Sequence, residues 1–431
     1  MRTDFAFGKT GLSLDLPEGP YYRVLETRWA QASADETSLL AAALDQPIGC
    51  PPLRELAAGR QSAAISVCDI TRPAPNRRTL PPLLARLEEA GIPRSRTTIL
   101  IATGLHRQAT GSEINEILGP EIAASYPIVN HNARELADHR ELGVTKSGTP
   151  VFVDRRFVDA ELRITLGFIE QHLMAGFSGG RKLIAPGLAY QETIKNLHSP
   201  RFMRDARAVE GSIEENPLHQ ELVEIAGMAG HDFVFDVVLS DGRKISAAFA
   251  GEPRHAHAEG IAYVRACTTQ WIPGKVDAAI TSAAGYPLDL TFYQGVKGVT
   301  AASHIVKPGG IILLMAACDE GAGAPEFSRL MREFPDPQAF LETISNTPVT
   351  IDQWQLEKLA LVVASHRVWW YTPGLPSEYH PTVWGKLFPS AAAALEALRS
   401  EVGSGAEVAV LPEGPYVFAR PQSALHEPAF A

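Results

Sequence analysis

The chain has 431 residues, 45% of them hydrophobic and 20% charged, with a formal net charge of −10 at pH 7. That length carries two domains with cores of their own, and the composition is that of a globular protein rather than a disordered or fibrous one. An acidic balance argues against nonspecific nucleic-acid binding, which needs a basic surface. No stretch approaches the run of about 20 apolar residues that spans a bilayer.

Cys50, Cys68, Cys267 and Cys318 are scattered, with neither CxxC pairs nor zinc-type spacing. They read as reduced, mostly buried thiols. Met1-Arg2-Thr3-Asp4-Phe5 opens the chain without an apolar signal core, and the expectation is a cytoplasmic protein.

Residues 3–27 alternate apolar and polar around glycine and proline, which predicts hairpin-like β structure. Helices are predicted from about Asp35 and from Leu53. The pattern then becomes α/β: Ala64–Cys68 is a continuous apolar run of the kind found in a buried parallel strand, followed by an amphipathic helix over Leu80–Ala90. Thr98–Ala102, Pro127–Asn130, Val151–Val153 and Leu162–Gly167 supply further strands, with a helix over Ser112–Leu118. Residues 233–240 and 245–250, joined through Asp241-Gly242, predict a β-hairpin, and Ala256–Ala266 a helix. A domain boundary falls at Pro273-Gly274. Beyond it Val276–Thr281, Gly309–Met315, Ala360–Ala364 and Val408–Leu411 read as strands, with a helix from Pro337 to Thr343 capped by Asp336. The expected architecture is therefore α/β, two lobes with mostly parallel sheets and a cleft between them. Residues 1–272 form the N-terminal cofactor-binding domain, 275–411 the C-terminal substrate-gripping domain, and 412–431 a tail returning to the N-terminal domain.

In open parallel sheets ligands bind beyond the carboxyl ends of the strands. The reactive residues all sit there: Asp69, Thr71 and Arg72 after one strand, Thr103, Gly104 and His106 after the next, and the stretch from Gly167 to His198 after the last. That stretch packs His172, a small-residue loop at Ser178-Gly179-Gly180, Lys182 and His198 into about 30 residues. A glycine loop lets main-chain N–H groups approach an anion. Lys182 beside it is either a point charge for phosphate or, with a lowered pKa, a nucleophile for a cofactor. Neutral imidazole serves equally as metal ligand and as acid/base. Asp69 and Arg72, three apart, also read as a local ion pair fixing their loop. In the second lobe Tyr293, Gln294 and Lys297 lie about one turn apart at a helix start. Lysine, amide and phenol together suit a carboxylate and a hydroxyl. His255 and His257, on a polar helix, read as surface residues. No complete G-x-G-x-x-G or G-x-x-x-x-G-K-[ST] fingerprint is present.

As a set, Asp69-x-Thr71-Arg72-Pro73, Thr103-Gly104-x-His106, His172-x(3)-Gly176-x-Ser178-Gly179-Gly180-x-Lys182, His198 and Gly285-Tyr286-Pro287-x-Asp289 with Gln294 and Lys297-Gly298 resemble the nickel-dependent lactate racemase family, in order and over nearly the whole chain. The resemblance implies a nickel pincer nucleotide, a pyridinium mononucleotide holding nickel, bound covalently at Lys182, with His198 as the protein ligand to the metal. It implies His106 and His172 as the catalytic acid/base pair. On the same resemblance Arg72 and Lys297 would hold the substrate carboxylate, with Gln294 and Tyr293 nearby. Asp69 supports Arg72 or the cofactor, Ser178, Gly179 and Gly180 cradle its phosphate, and Trp354 resembles an aromatic lining the cleft.

The chemistry is consistent with this inventory. Racemising a 2-hydroxy acid breaks an unactivated Cα–H bond, and no side chain here is a base for so weak an acid; an electrophilic cofactor that accepts hydride avoids the problem. Two histidines, one per enantiomer, then handle the hydroxyl proton. The expected substrate is lactate or another short aliphatic 2-hydroxy acid, with malate, aromatic or sugar acids as the alternative. Cofactor-synthesis proteins are the expected maturation partners, and the chain is expected to be a monomer or homodimer. The competing readings are a metal-dependent hydrolase or lyase using His106, His172 and His198 as ligands, and a non-catalytic phosphate binder built on the glycine loop.

Overall fold

The computed structural model describes residues 1–426; the last five residues of the expected tail lie outside the described residues. The chain forms two compact units, one from Trp29–Leu197 with Arg207–Cys267, the other from Met1–Arg28, His198–Ala206 and the chain from Thr268 onward.

The first unit is built on a six-stranded sheet in the order Ile245–Gly251, Phe233–Leu239, Leu162–Phe168, Ala63–Cys68, Thr97–Ala102, Ile128–Asn130. All neighbours are parallel except the first pair, the expected hairpin. Every residue of Ala63–Cys68 is buried, as a strand covered on both faces requires. Ile65, Val67, Ile99 and Ile101 meet Leu83 and Leu87 of helix Asn76–Glu89 in the core. Thr110 and Glu113 close a reciprocal capping box on helix Gly111–Leu118.

The second unit carries an all-parallel six-stranded sheet: Lys386–Leu387, Arg367–Tyr371, Val306–Met315, Val276–Ser282, Glu407–Leu411, Tyr21–Val24. Helices Phe292–Ser303 and Gln353–Val363 pack with Trp370, Ile312 and Leu314 in one core. Helix Ala391–Val402 joins Phe5, Leu16, Ile311 and Leu313 in another. Asp336 caps helix Pro337–Ser345, accepting from the Ala339 N–H at 2.8 Å.

Two strand expectations are corrected. Ala360–Ala364 is not a strand: it ends helix Gln353–Val363, and the strand is Arg367–Tyr371. That helix is buried from Gln353 through Ala360, and an apolar run buried all round carries no period to separate helix from strand. Arg2–Phe5 and Leu12–Asp15 form the expected hairpin, but Tyr21–Val24 leaves it to pair in parallel with Glu407–Leu411, where Arg23 meets Glu407 at 2.7 Å. Residues 1–28 and 198–206 cluster with the second unit. Within the second unit Ala419–Pro421 pairs in parallel with Gln270–Ile272. Among the described residues no helix is long and apolar enough to cross a membrane.

Candidate active site

In the first unit the loops after three adjacent parallel strands carry the reactive side chains. Asp69 directly follows Cys68 and is only 5% exposed. Its Oδ2 lies 2.8 Å from His106 Nδ1, and its Oδ1 accepts from Thr71 Oγ1 at 2.6 Å. Burial raises the Asp69 carboxyl, but the His106 ring and the Thr71 hydroxyl outweigh it and hold the group below its ordinary value. An ionised Asp69 keeps the His106 proton on Nδ1 and leaves the Nε2 lone pair for a reactant. Arg72 donates to the Thr71 carbonyl and hydroxyl at 3.2 and 3.1 Å. The carboxylate that the three-residue spacing offered to Arg72 is thus engaged by His106 and Thr71.

His172 belongs to a two-residue strand, Gln171–His172, paired antiparallel with Gly176–Phe177. Its Nδ1 accepts the main-chain N–H groups of Met174 and Ala175 at 3.4 and 3.2 Å, and its Nε2 lies 3.0 Å from Lys182 Nζ. Lys182 sits half-buried on the 3-10 turn Gly180–Leu183. Burial pushes its amine down to about 7, helped by the positive charges of Arg72 and Arg181 and opposed by Cys68 and Glu170. A large share of this amine is therefore unprotonated at neutral pH, the state a nucleophilic lysine needs.

The small-residue loop has its own packing logic. The Ser178 hydroxyl donates to the Phe168 carbonyl at 2.8 Å and accepts from the Glu170 N–H at 2.9 Å. Gly179 and Gly180 have φ of +79° and +45°, and a Cβ on Gly179 would lie 2.6 Å from Asp236 Oδ2. Both features demand glycine. Asp236, at the centre of the otherwise apolar strand Phe233–Leu239, is fully buried with no hydrogen-bond partner on either oxygen. Burial pushes it up to about 7 against the pull of Arg181. His257, expected on the surface with His255, is instead 4% exposed, its Nε2 2.8 Å from the Ser178 carbonyl; His255 is exposed. Neither Asp236 nor His257 emerged from the motifs. The available signal was a lone acid in the run Phe-Val-Phe-Asp-Val-Val-Leu.

The second unit holds the remaining candidates. His198 packs against Trp354, ring centroids 4.4 Å apart. Its segment is anchored on helix Gln353–Val363: Arg204 meets the buried Glu357 at 2.7 Å, and Lys358 Nζ donates to the Met203 carbonyl at 2.8 Å. The neighbouring helix Phe292–Ser303 carries Tyr293, Gln294 and Lys297. Gln355 donates to the Tyr293 carbonyl at 2.9 Å, and the Tyr293 ring meets Phe327 edge-on. The Gln294 side-chain oxygen is buried without a hydrogen-bond partner, an acceptor that a substrate O–H would satisfy. Asp289 has a structural task, accepting from the Gly8 and Ala317 N–H groups at 2.6 and 3.1 Å.

The structure therefore brings Asp69 to His106, His172 to Lys182 and His198 to Trp354. Among the described residues no group of three or more His, Cys, Asp or Glu side chains is placed to hold a metal ion.

Residues 7–211 match the lactate racemase N-terminal domain, and residues 273–419 the lactate racemase C-terminal domain. The chain belongs to the lactate racemase family. As a member of that family it is an isomerase. It is 34% identical over 423 residues to a lactate racemase of Thermoanaerobacterium thermosaccharolyticum, covering 97% of this chain and 99% of the relative. It is 35% identical over 383 residues to a lactate racemase of Lactiplantibacillus plantarum, covering 88% of this chain and 90% of the relative. The structure of the lactate racemase apoprotein from T. thermosaccharolyticum superposes with a TM-score of 0.90 at 33% identity, over 97% of this chain and all of that one. A Thermotoga maritima protein at 16% identity and TM-score 0.64 shares the fold, over 86% of this chain and 96% of that chain.

Proposed function

We propose that the chain racemises a small 2-hydroxy acid, lactate or another short aliphatic member of the class, using a nickel pincer nucleotide carried on Lys182. The observation that supports this most directly is the Lys182 amine, pushed down to about 7 and 3.0 Å from His172 Nε2. Its fit to the group is chemical: an amine able to bond covalently at neutral pH, and an imidazole, His198, steadied by Trp354 as a nitrogen ligand. When bound, such a group supplies an acceptor for the hydride on the substrate's Cα, with a 2-keto acid as the intermediate.

The chain's own residues do the rest. Arg72 and Lys297 hold the carboxylate, and Gln294, with Tyr293 beside it, offers a buried oxygen to the substrate hydroxyl. His106, backed by Asp69, takes the hydroxyl proton of one enantiomer at Nε2, and His172 serves the other. Trp354 lines the substrate's side. A larger 2-hydroxy acid is the alternative substrate within this reading.

The test is intact-mass and nickel analysis of protein co-expressed with cofactor-synthesis proteins, then loss of optical rotation over a panel of D- and L-2-hydroxy acids. A covalent increment on Lys182 with nickel and racemisation of lactate is expected. Racemisation by unmodified, nickel-free protein would sink the proposal.

A further inference from the structure

Arg181 precedes the reactive lysine yet is only 4% exposed. Its Nη1 donates to the carbonyls of Ser178 and Gly179 at 3.2 and 3.4 Å, and its Nη2 to that of Ala175 at 2.9 Å. Nη1 also lies 3.0 Å from His257 Nε2. One guanidinium thus closes on three carbonyls of residues 175–179, the stretch that joins His172 to Lys182. Enclosing a cation is costly unless it is bonded, and burial does push this one down, to about 9, against the pull of Asp236. It still stays charged at neutral pH. Asp236 approaches the same loop through the space that Gly179 and Gly180 leave open. Asp236 and His257 are buried and have no part in the proposed reaction, so their business is with this loop.

We infer that Arg181 is a positioning residue: by gathering the carbonyls of Ala175, Ser178 and Gly179 it shapes the loop that holds Lys182 against His172 and so prepares the lysine for cofactor attachment. Lysine is no substitute, because a single ammonium lacks the planar fork that reaches several carbonyls at once. Methionine leaves all three carbonyls without this donor and removes the charge facing Asp236. The attachment half of the inference rests on the proposed function; the loop-shaping half does not.

The test compares wild type, Arg181→Lys and Arg181→Met as full chains. In apoprotein, acetic anhydride labelling of Lys182 followed across pH by peptide mass spectrometry reads the amine directly, with exposed Lys9 and Lys146 as internal references. The groups that set its titration are Arg72, Arg181, Cys68, Glu170 and the hydrogen-bonded His172. In Arg181→Met the labelling midpoint should move from about 7 toward the ordinary lysine range, about 10. The fraction of chains loaded after co-expression should fall roughly tenfold, as expected when a reacting group is misplaced. Arg181→Lys, which keeps charge but not the fork, should also load less. Wild-type midpoint and loading in a folded Arg181→Met would overturn the inference. If that variant fails to fold, wild-type loading in Arg181→Lys overturns it. A wild type that acquires no increment on Lys182 defeats the tether reading instead, and the labelling midpoint then decides the role of Arg181.

Discussion

At His106 the Nδ1 side of the ring faces a carboxylate, Asp69 Oδ2 at 2.8 Å; at His172 the same ring position faces two main-chain N–H groups, of Met174 and Ala175. The first arrangement places the proton on Nδ1 and leaves the Nε2 lone pair for a reactant. The second sets two main-chain N–H groups against Nδ1 and turns Nε2 toward Lys182. Two histidines assigned mirror-image work are thus not mirror images in their hydrogen bonding. Because enantiomers have equal energy, kcat/KM must be equal in the two directions. The asymmetry can appear only in kcat and KM taken separately.

The severest break is Lys182→Ala, which removes the partner of His172 Nε2 and the proposed tether together. Intact mass should show no increment, and optical rotation should persist at the uncatalysed rate. Next come His106→Ala and His172→Ala, each expected to lower kcat by about 10²–10⁴, the usual weight of a positioned acid or base. If either variant keeps full activity in both directions, the pairing is wrong.

Asp69→Asn sharpens the comparison, since it keeps a polar partner for His106 but removes the charge. A loss of about tenfold to a hundredfold is expected, with kcat in the two directions changed unequally. Its stability effect follows from the lowered Asp69 pKa. A carboxyl depressed on folding contributes stability above its unfolded value, about 3.9, and loses it as pH falls through the folded value. The melting-temperature gap between wild type and Asp69→Asn should therefore hold from neutral pH to about 5 and close in stronger acid. A test on stability alone is Lys182→Met in apoprotein. A lysine held at about 7 weakens the fold wherever the unfolded chain binds the proton more tightly. Wild-type stability from this group should rise between pH 7 and about 10. The methionine variant should melt higher below pH 7 and lose that advantage by about pH 10; parallel melting curves across pH would refute the perturbed amine.

Much of this was legible because buried parallel strands are continuous apolar runs: Ala63–Cys68, Thr97–Ala102 and Leu162–Phe168 lie where the sequence puts them, and the reactive residues follow their ends. What stayed hidden were partners distant in sequence. Asp69 has an arginine three residues away, yet its carboxylate bonds His106 in another loop. The glycines at 179 and 180 resemble a phosphate loop, yet Asp236, from a strand much later in the chain, already gives a steric reason for them. His198 directly follows the helix Gln191–Leu197 of the first unit, but Arg204 and Met203 tie its segment to Glu357 and Lys358 of the second. Spacing within a motif carries no information about such ties.

The edge strand Tyr21–Val24 also has a consequence for synthesis. Among the described residues its only sheet neighbour is Glu407–Leu411, so this segment waits for one synthesised much later. At about 5–20 residues per second the wait is roughly 20 to 80 seconds. Through that interval Tyr21 and Val24, which stay exposed even in the finished fold, sit on a strand with neither edge paired. The second unit therefore closes only after Leu411 has emerged, while the first can close once Cys267 has emerged. A nascent-chain protease assay should find the region around Tyr21 cut in every arrested length short of Leu411 and protected soon after.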